Sequence, residues 1–329
     1  MIKQLSIENF RGIKKISFYG IEQFTLLAGT NNCGKSSVLE SVYLWANAAY
    51  PQTILHLNSY RGLNGSFENL SQLYYGTDTD KEIKIETVSE QNKERNVSVK
   101  IQNAMPLQVG FDSDKAIPEI HVSVKEDGES KEYILRNNIN DARGIGVKII
   151  PAIYYGANFV NAPVTQFLAP VIVGKKKAEL IKVLQKIDDS IQDFQMANNN
   201  ELYFDIGQEK LVRYEIMGDG IRKALILIAA IFNVQNGILL IDEFENGLHH
   251  SSMDIVWQAV IEAAVQNNVQ VIATTHSYEC IQSYSKNMEE KNRSDMAVIR
   301  IDRKNGKHKA VKLNGEDLHI AIENDWEIR

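Results

Sequence analysis

An α/β fold is what this sequence predicts, on three observations: an apolar run that leads through a glycine-rich loop into a helix, two later runs that are almost wholly apolar, and a block of short β-type segments between them. The chain opens with β-type runs at 2–7, 13–18 and 24–28, parted by the turn signals Asn9/Gly12 and Gly20. Residues 35–50 carry Val38, Leu39, Val42, Tyr43 and Trp45 at roughly helical spacing and stop before Pro51, which predicts a helix. Residues 81–136 change to short β-rich stretches, KEIKIETV, NVSVKIQ, EIHVSVK and KEYILR, with a turn at Glu126-Asp-Gly-Glu, and predict an antiparallel subdomain. A strand at 147–155 precedes a helical region at 163–195, where Leu180, Ile181, Leu184 and Ile187 keep the helical period; Asn198, Asn199 and Asn200 close it. The β runs ELYFDI and KLVRYEI lead into Gly218-Asp219-Gly220 and an apolar helix at 221–234. GILLIDE at 237–243 and NVQVIATTH at 268–276 have the look of parallel strands buried on both faces, with a helix at 252–265 between them. A hairpin at 296–313 turns on Asn305-Gly306.

The 329 residues hold 36 Lys plus Arg against 42 Asp plus Glu, a formal charge of −6, with 44% hydrophobic and 24% charged residues. That is ordinary globular composition, with enough chain for one large or two modest domains; it excludes a disordered or collagen-like chain. No apolar run approaches the roughly 18 residues of a membrane span, and MIKQLSIENF lacks the apolar block of a signal peptide, so the expectation is a cytoplasmic protein with no membrane partner. Cys33 and Cys280 form neither a disulfide framework nor a zinc-ligand spacing, which fits a reducing compartment. The mild acidity argues against wholesale coating of nucleic acid and leaves room for a local basic patch.

Gly29-Thr-Asn-Asn-Cys-Gly34-Lys35-Ser36 satisfies G-x-x-x-x-G-K-S/T, and it stands between a strand and a helix, where a phosphate loop must stand. Its glycines let successive backbone N–H groups curl around phosphates, the helix N-terminus adds favourable potential, Lys35 supplies a cation and Ser36 a Mg²⁺ ligand. The candidate nucleotide cradle is Gly29, Asn31, Asn32, Cys33, Gly34, Lys35, Ser36 and Ser37. Cys33 is either a reactive thiol at a helix N-terminus or, the favoured reading, a small packed residue. In GILLIDEFENGLHH an apolar strand delivers Asp242 and Glu243 at its carboxyl end, the place where open α/β sheets put their ligand sites. Asp242 is expected to hold the water shell of Mg²⁺, and Glu243 to orient or deprotonate the water that attacks the γ-phosphate. His276 follows the next apolar strand in ATTHS and is expected at the same sheet edge, where an imidazole can sense that phosphate.

The order Phe10-Arg11-Gly12, GTNNCGKSS, MGDGIRKA, ILLIDEFENGLHHS and ATTHS resembles the ABC-type ATPases of the SMC, RecF and OLD (overcoming lysogenization defect) group, with the OLD-like branch, often described as AAA-type ATP-binding proteins, the nearest. The resemblance implies a P-loop NTPase: one ABC-type ATPase head over 1–329, with a nucleotide-binding core at 1–80 and 201–329, an antiparallel β subdomain at 81–155 and a helical insertion at 156–200. It also implies a homodimer with two ATP molecules sandwiched between the phosphate loop of one protomer and the signature loop of the other. By the same resemblance Lys35 and Ser36 take the Walker A roles, Asp242 the Walker B role and Glu243 that of catalytic base. Residues 245–249 fall on the dimer-contact D-loop, His276 on the switch histidine and Gln72 on the Q-loop as a metal-site residue. The signature is represented only by Gly218-Asp219-Gly220-Ile221-Arg222, without the usual serine, so it is either a trans nucleotide contact or a plain loop. Arg11, in the FR motif, either faces the nucleotide or makes a surface salt bridge.

Heptad arms of the SMC kind are missing. Fused OLD-family members carry a Toprim nuclease domain after the ATPase, and the stretch after His276 is too short for one. The expectation is an ATP- and Mg²⁺-dependent sensor or regulatory ATPase of a bacterial anti-phage system, with slow hydrolysis, acting with a separately encoded nuclease or toxin. The alternatives are a RecF-like DNA-binding ATPase in repair, a transporter ATPase subunit, and a gate that binds ATP without turning it over. For the DNA reading, the basic stretches are 175–177 and Arg300, Arg303, Lys304, Lys307, Lys309 and Lys312; without interleaved aromatics, solvated surface is the favoured reading of both.

Overall fold

The computed structural model describes residues 1–50, 52–63, 67–104, 117–135, 147–156, 164–197, 201–290, 294–313 and 318. From the N-terminus come strands β1 (Ile2–Phe10), β2 (Ile13–Tyr19) and β3 (Phe24–Ala28), then helices α1 (Lys35–Ala46) and α2 (Gln52–Ser59). Strands β4 (Ile83–Ser89), β5 (Glu94–Ala104), β6 (Ile117–Glu126), β7 (Glu129–Leu135) and β8 (Ala152–Tyr155) follow, then α3 (Val164–Val173) and α4 (Lys177–Leu184). Strands β9 (Asp193–Met196), β10 (Leu202–Asp205) and β11 (Val212–Arg213) precede α5 (Asp219–Asn233). The chain then runs through β12 (Ile238–Ile241), α6 (His250–Gln266), β13 (Gln270–Thr274), α7 (Tyr278–Glu290), β14 (Met296–Lys304) and β15 (Lys307–Leu313).

These elements form two compact units, one of Met1–Glu22, Gly29–Ala152 and Ile299–Lys312, the other of Gln23–Ala28, Ile153–Val298 and Leu313–Arg329. In the first, an antiparallel sheet has the order β2-β1-β4-β5-β6-β7. Strands β4 to β7 therefore extend the N-terminal hairpin: Ile7 pairs with Ile16 on one side and Ile85 on the other. Alternation sets the register, since Ile83, Ile85, Val97, Val99, Ile120 and Val122 are all buried. Asp127 and Gly128 both take positive φ and make the two-residue turn that pairs Glu126 with Glu129. Helix α1 packs on this sheet, with the Trp45 indole Nε1 donating to the Arg95 carbonyl at 3.1 Å.

The second unit is built on parallel strands. β3, β13 and β12 are adjacent and every residue in them is buried, because helices cover the sheet and leave no solvent face for polar residues. β8 edges this sheet beside β12, and β14 lies beside β3 before running on into the first unit. Helix α5 is the hub of the core, buried along its length from Ile221 to Phe232. A small antiparallel sheet, β11-β10-β9, adds Phe194, Leu202 and Phe204 to the same core.

Some expected elements end elsewhere. The helix expected over 35–50 stops at Ala46, where Asn47 leaves helical geometry and its N–H caps the Tyr43 carbonyl. The helical region at 163–195 breaks at Gly174 and Lys175, the latter at φ 58, and its tail is strand β9, zipped to β10. The strand expected over 147–155 is ordered as β8 only from Ala152, and KLVRYEI keeps two strand residues before a turn of 3₁₀ helix. Helix α7 is unanticipated, although Ser277 accepts from the Cys280 N–H as a cap and Cys280, Ile281 and Tyr284 mark its buried side. Residues 198–200 and most of 314–329 lie outside the described residues.

Candidate functional site

In the first unit the loop Gly29–Gly34 opens α1 as expected, with Gly34 at φ 101 as its cap. Gly29 stands at φ 146, and a Cβ there would meet the Ile301 carbonyl oxygen at 2.6 Å and Cys33 Sγ at 2.8 Å, so the position takes glycine alone. No side chain caps α1 and no acidic residue occupies its first turn, so the positive end of the helix dipole at the loop favours an anion. Lys35 is buried, its ammonium held by the carbonyls of Gly29 at 2.6 Å and Thr30 at 3.0 Å. Asn31 and Asn32 are exposed at the loop tip. Burial pushes the Cys33 thiol up, against the opposing pull of Lys35, which fits the packed residue and not a reactive thiol. The basic hairpin β14–β15 backs this loop: Arg303 Nη1 donates to the Asn32 carbonyl at 3.2 Å, beside the Ile301 contact at Gly29.

Arg11 corrects the expectation of a surface salt bridge. It is buried at φ 52, its Nε donates to Glu40 Oε2 at 2.8 Å, and its Nη1 and Nη2 donate to the carbonyls of Gln72 at 3.2 Å and Leu57 at 3.0 Å. It is thus a fastener of the first unit, and its ion pair is buried, not on the surface. Arg61 shares the same carboxylate, Nε to Oε1 at 2.7 Å, and reaches Ser37 Oγ at 3.3 Å. Gln72 itself is exposed on a 3₁₀ turn and joins this network through its carbonyl. Two of the three lysines at 175–177 are likewise engaged: Lys176 reaches Asn267 Oδ1 at 3.3 Å and Lys177 pairs with Asp193 at 2.6 Å.

In the second unit Ile241, Ala273 and Leu26 lie level across the three parallel strands, so β12, β13 and β3 end along one sheet edge. Asp242 leaves β12 there. Its carboxylate accepts from Thr274 Oγ1 at 2.7 Å and from the Tyr154 hydroxyl at 3.1 Å. Glu243 follows at φ 52, a costly backbone conformation for a non-glycine residue, with its N–H on Thr274 Oγ1 at 2.9 Å and its Oε2 accepting from Asn246 Nδ2 at 2.5 Å. His276 Nδ1 lies 3.8 Å from Glu243 Oε1 and 3.0 Å from Glu245 Oε1, the latter off the line of a hydrogen bond. Buried Glu245 instead accepts the backbone N–H groups of His276 at 2.9 Å and Ser277 at 3.1 Å through that oxygen.

Gly218 caps α5, which begins at Asp219, two residues earlier than expected. Gly218, Asp219 and Gly220 border a cleft of about 610 Å³ that His249 and Ser252 also line. Asp219 pairs with Arg222 one turn on. Lys223, next in the helix, is buried and donates to the carbonyls of Phe244 and of Asn246, the latter at 2.6 Å. Burial pulls its ammonium down to about 8 against the raising influence of Glu245. Lys223, Tyr154 and Thr274 were not singled out by sequence reasoning; a lysine within the apolar stretch of α5 was the one signal available.

Comparison with known proteins places this geometry. The chain belongs to the family described as "AAA domain, putative AbiEii toxin, Type IV TA system", whose model matches residues 112–281, and a second family, "AAA ATPase domain", matches residues 1–148. It is 26% identical over 368 aligned residues to a Helicobacter pylori protein named "ATP/GTP phosphatase", covering 99% of each chain. A 45% identity over 65 residues, 20% of this chain and 57% of the other, links it to an uncharacterised protein of Methanocaldococcus jannaschii. Among solved structures, an SMC head bound to the C-winged helix domain of ScpA superposes with a TM-score of 0.51 at 15% identity, covering 95% of this chain and 97% of that one. The fold is that of a mixed α/β P-loop ATPase resembling an SMC head, and the activity is that of an ATPase. Among the described residues no helix is long and apolar enough to cross a membrane.

Proposed function

We propose that this chain is an OLD-like regulatory ATPase that closes as a homodimer around two ATP molecules and serves as the sensor of an anti-phage defence system whose nuclease or toxin is encoded separately. What carries the ATP reading is that β12 and β13 end level with β3, whose next residue is Gly29, the first of the phosphate loop. In this reading the N–H groups of Gly29–Ser37 and the Lys35 ammonium hold the β- and γ-phosphates, which requires Lys35 to leave the two loop carbonyls it now occupies. Mg²⁺ is bound by one or two protein oxygens together with phosphate and water; the Ser36 hydroxyl and the Asp242 carboxylate are hard donors of that kind and would hold it, and when bound it neutralises charge on the phosphates. Glu243 takes the water's proton, and His276 senses the γ-phosphate. The defence assignment rests on the family's association with a toxin–antitoxin system.

The test is hydrolysis and native mass with Mg-ATP for the wild type and Lys35→Ala. The wild type is expected to double its mass with ATP, and the variant to stay single and lose activity about 1,000-fold. A wild type that remains single at saturating ATP overturns the dimer. Recovery from the native host with a nuclease or toxin supports the defence role. Hydrolysis stimulated by DNA ends, with no protein partner, moves the assignment to a RecF-like repair ATPase.

A further inference from the structure

We propose that Lys223 and Glu245 are positioning residues, a buried latch that ties the start of α5 to the two loops bearing Glu243 and His276. The proposal rests on the reading of Glu243 as the hydrolytic base. The Lys223 ammonium donates to the carbonyls on either side of Glu245, those of Phe244 and Asn246. From Asn246 the connection passes to the reacting group itself, because its side-chain amide holds Glu243 Oε2 at 2.5 Å. From Glu245 it passes to the other loop, through the N–H groups of His276 and Ser277. One helix residue thus governs two loops that contribute to the same sheet edge.

The surroundings make the latch strong. The Phe244 ring stacks on Trp257 with centroids 3.6 Å apart, Lys223 lies 5.4 Å from the centre of the Phe244 ring, and Trp257 meets Tyr284 edge-on at 4.9 Å. Lys223 and its bond to the Phe244 carbonyl are buried, where a hydrogen bond to a charged donor gains strength, while the Asn246–Glu243 bond lies exposed. An ammonium is a costly group to bury for packing alone, where methionine fills similar space. Glu243 gives the cost a purpose. Its left-handed backbone does not persist without outside restraint, and its N–H, its carboxylate and the carbonyls after it are all held. The first residues of α5, capped by Gly218, lie one helical turn before Lys223, so a ligand or partner engaging them pulls on the loop that activates water.

The full-length chain carrying Lys223→Met, Lys223→Arg or Glu245→Gln is compared with the wild type for kcat, for KM and for ATP binding. Lys223→Met is expected to lower kcat about 100-fold with KM within about 3-fold, the pattern of a displaced reacting group and not of lost ground-state binding. Lys223→Arg, which keeps the charge and the donors, restores kcat to within about 10-fold of wild type. Glu245→Gln lowers kcat about 10-fold, and the Met/Gln double variant is no worse than Lys223→Met because the two act as a unit. A folded Lys223→Met with wild-type kcat, or with its whole defect in KM, overturns the proposal; if that variant does not fold, Glu245→Gln at wild-type kcat does so. Glu243→Gln is the control. Inactive while Lys223→Met is active, it removes the latch alone; active at the wild-type rate, it removes the reading beneath the latch as well.

Discussion

Replacing Glu243 by glutamine is expected to leave ATP binding within about 3-fold of wild type and to cut hydrolysis about 1,000-fold, within the range contributed by a positioned general base. The substitution changes little else. Glutamine keeps the length and the carbonyl oxygen that accepts from Asn246 Nδ2, and the backbone N–H stays on Thr274 Oγ1. What disappears is the basic oxygen, so the loss falls on kcat and the nucleotide-closed state accumulates, visible as a persistent doubled mass with Mg-ATP. Hydrolysis by the variant within about 10-fold of wild type would assign the base elsewhere. The same variant separates an engine from a gate: intact biological activity without turnover would mean that binding of ATP alone does the switching.

Replacing Glu40 by alanine is expected to destabilise the first unit by about 3–5 kcal/mol, the cost of leaving a buried charge without its partner. The Glu40 side chain is 2% exposed and that of Arg11 5%, so water cannot substitute for the lost carboxylate. Arg61, at 42% exposed, can turn to solvent and adds little. Glu40 lies on α1 in the turn after Ser36 and Ser37, and Arg11 binds the carbonyls of Leu57 and Gln72, so the loss also loosens the support of the phosphate loop. Urea unfolding followed by nucleotide binding measures both effects. A change below about 1 kcal/mol would show that the guanidinium finds water or another acceptor.

Much of this protein is written in local pattern. The phosphate loop is recognisable because its chemistry needs particular residues at fixed spacing between a strand and a helix, and Gly29 through Ser36 meet that spacing. Strands β3, β12 and β13 announce themselves as apolar runs because both sides of a parallel sheet are covered, and the turn at Asn305-Gly306 because two successive positive φ values suit those residues. Where local signals were mixed, boundaries moved: the apolar period of 163–195 did not reveal the break at Lys175 or the pairing of β9 with β10.

The partners of the charged side chains belonged to the tertiary structure alone. Tyr154 reaches Asp242 across 88 residues and Arg303 reaches Asn32 across 271, separations over which no periodicity carries information. Arg11 reads in sequence as an arginine after a strand, equally suited to a phosphate or to solvent; only the placement of Glu40, Leu57 and Gln72 around it decides that it is a fastener. Lys223 is the same case. A helix pattern shows which residues are buried but not which carbonyls wait beside them, and the hydrogen bonds that make a buried cation tolerable come from a loop brought in by the fold.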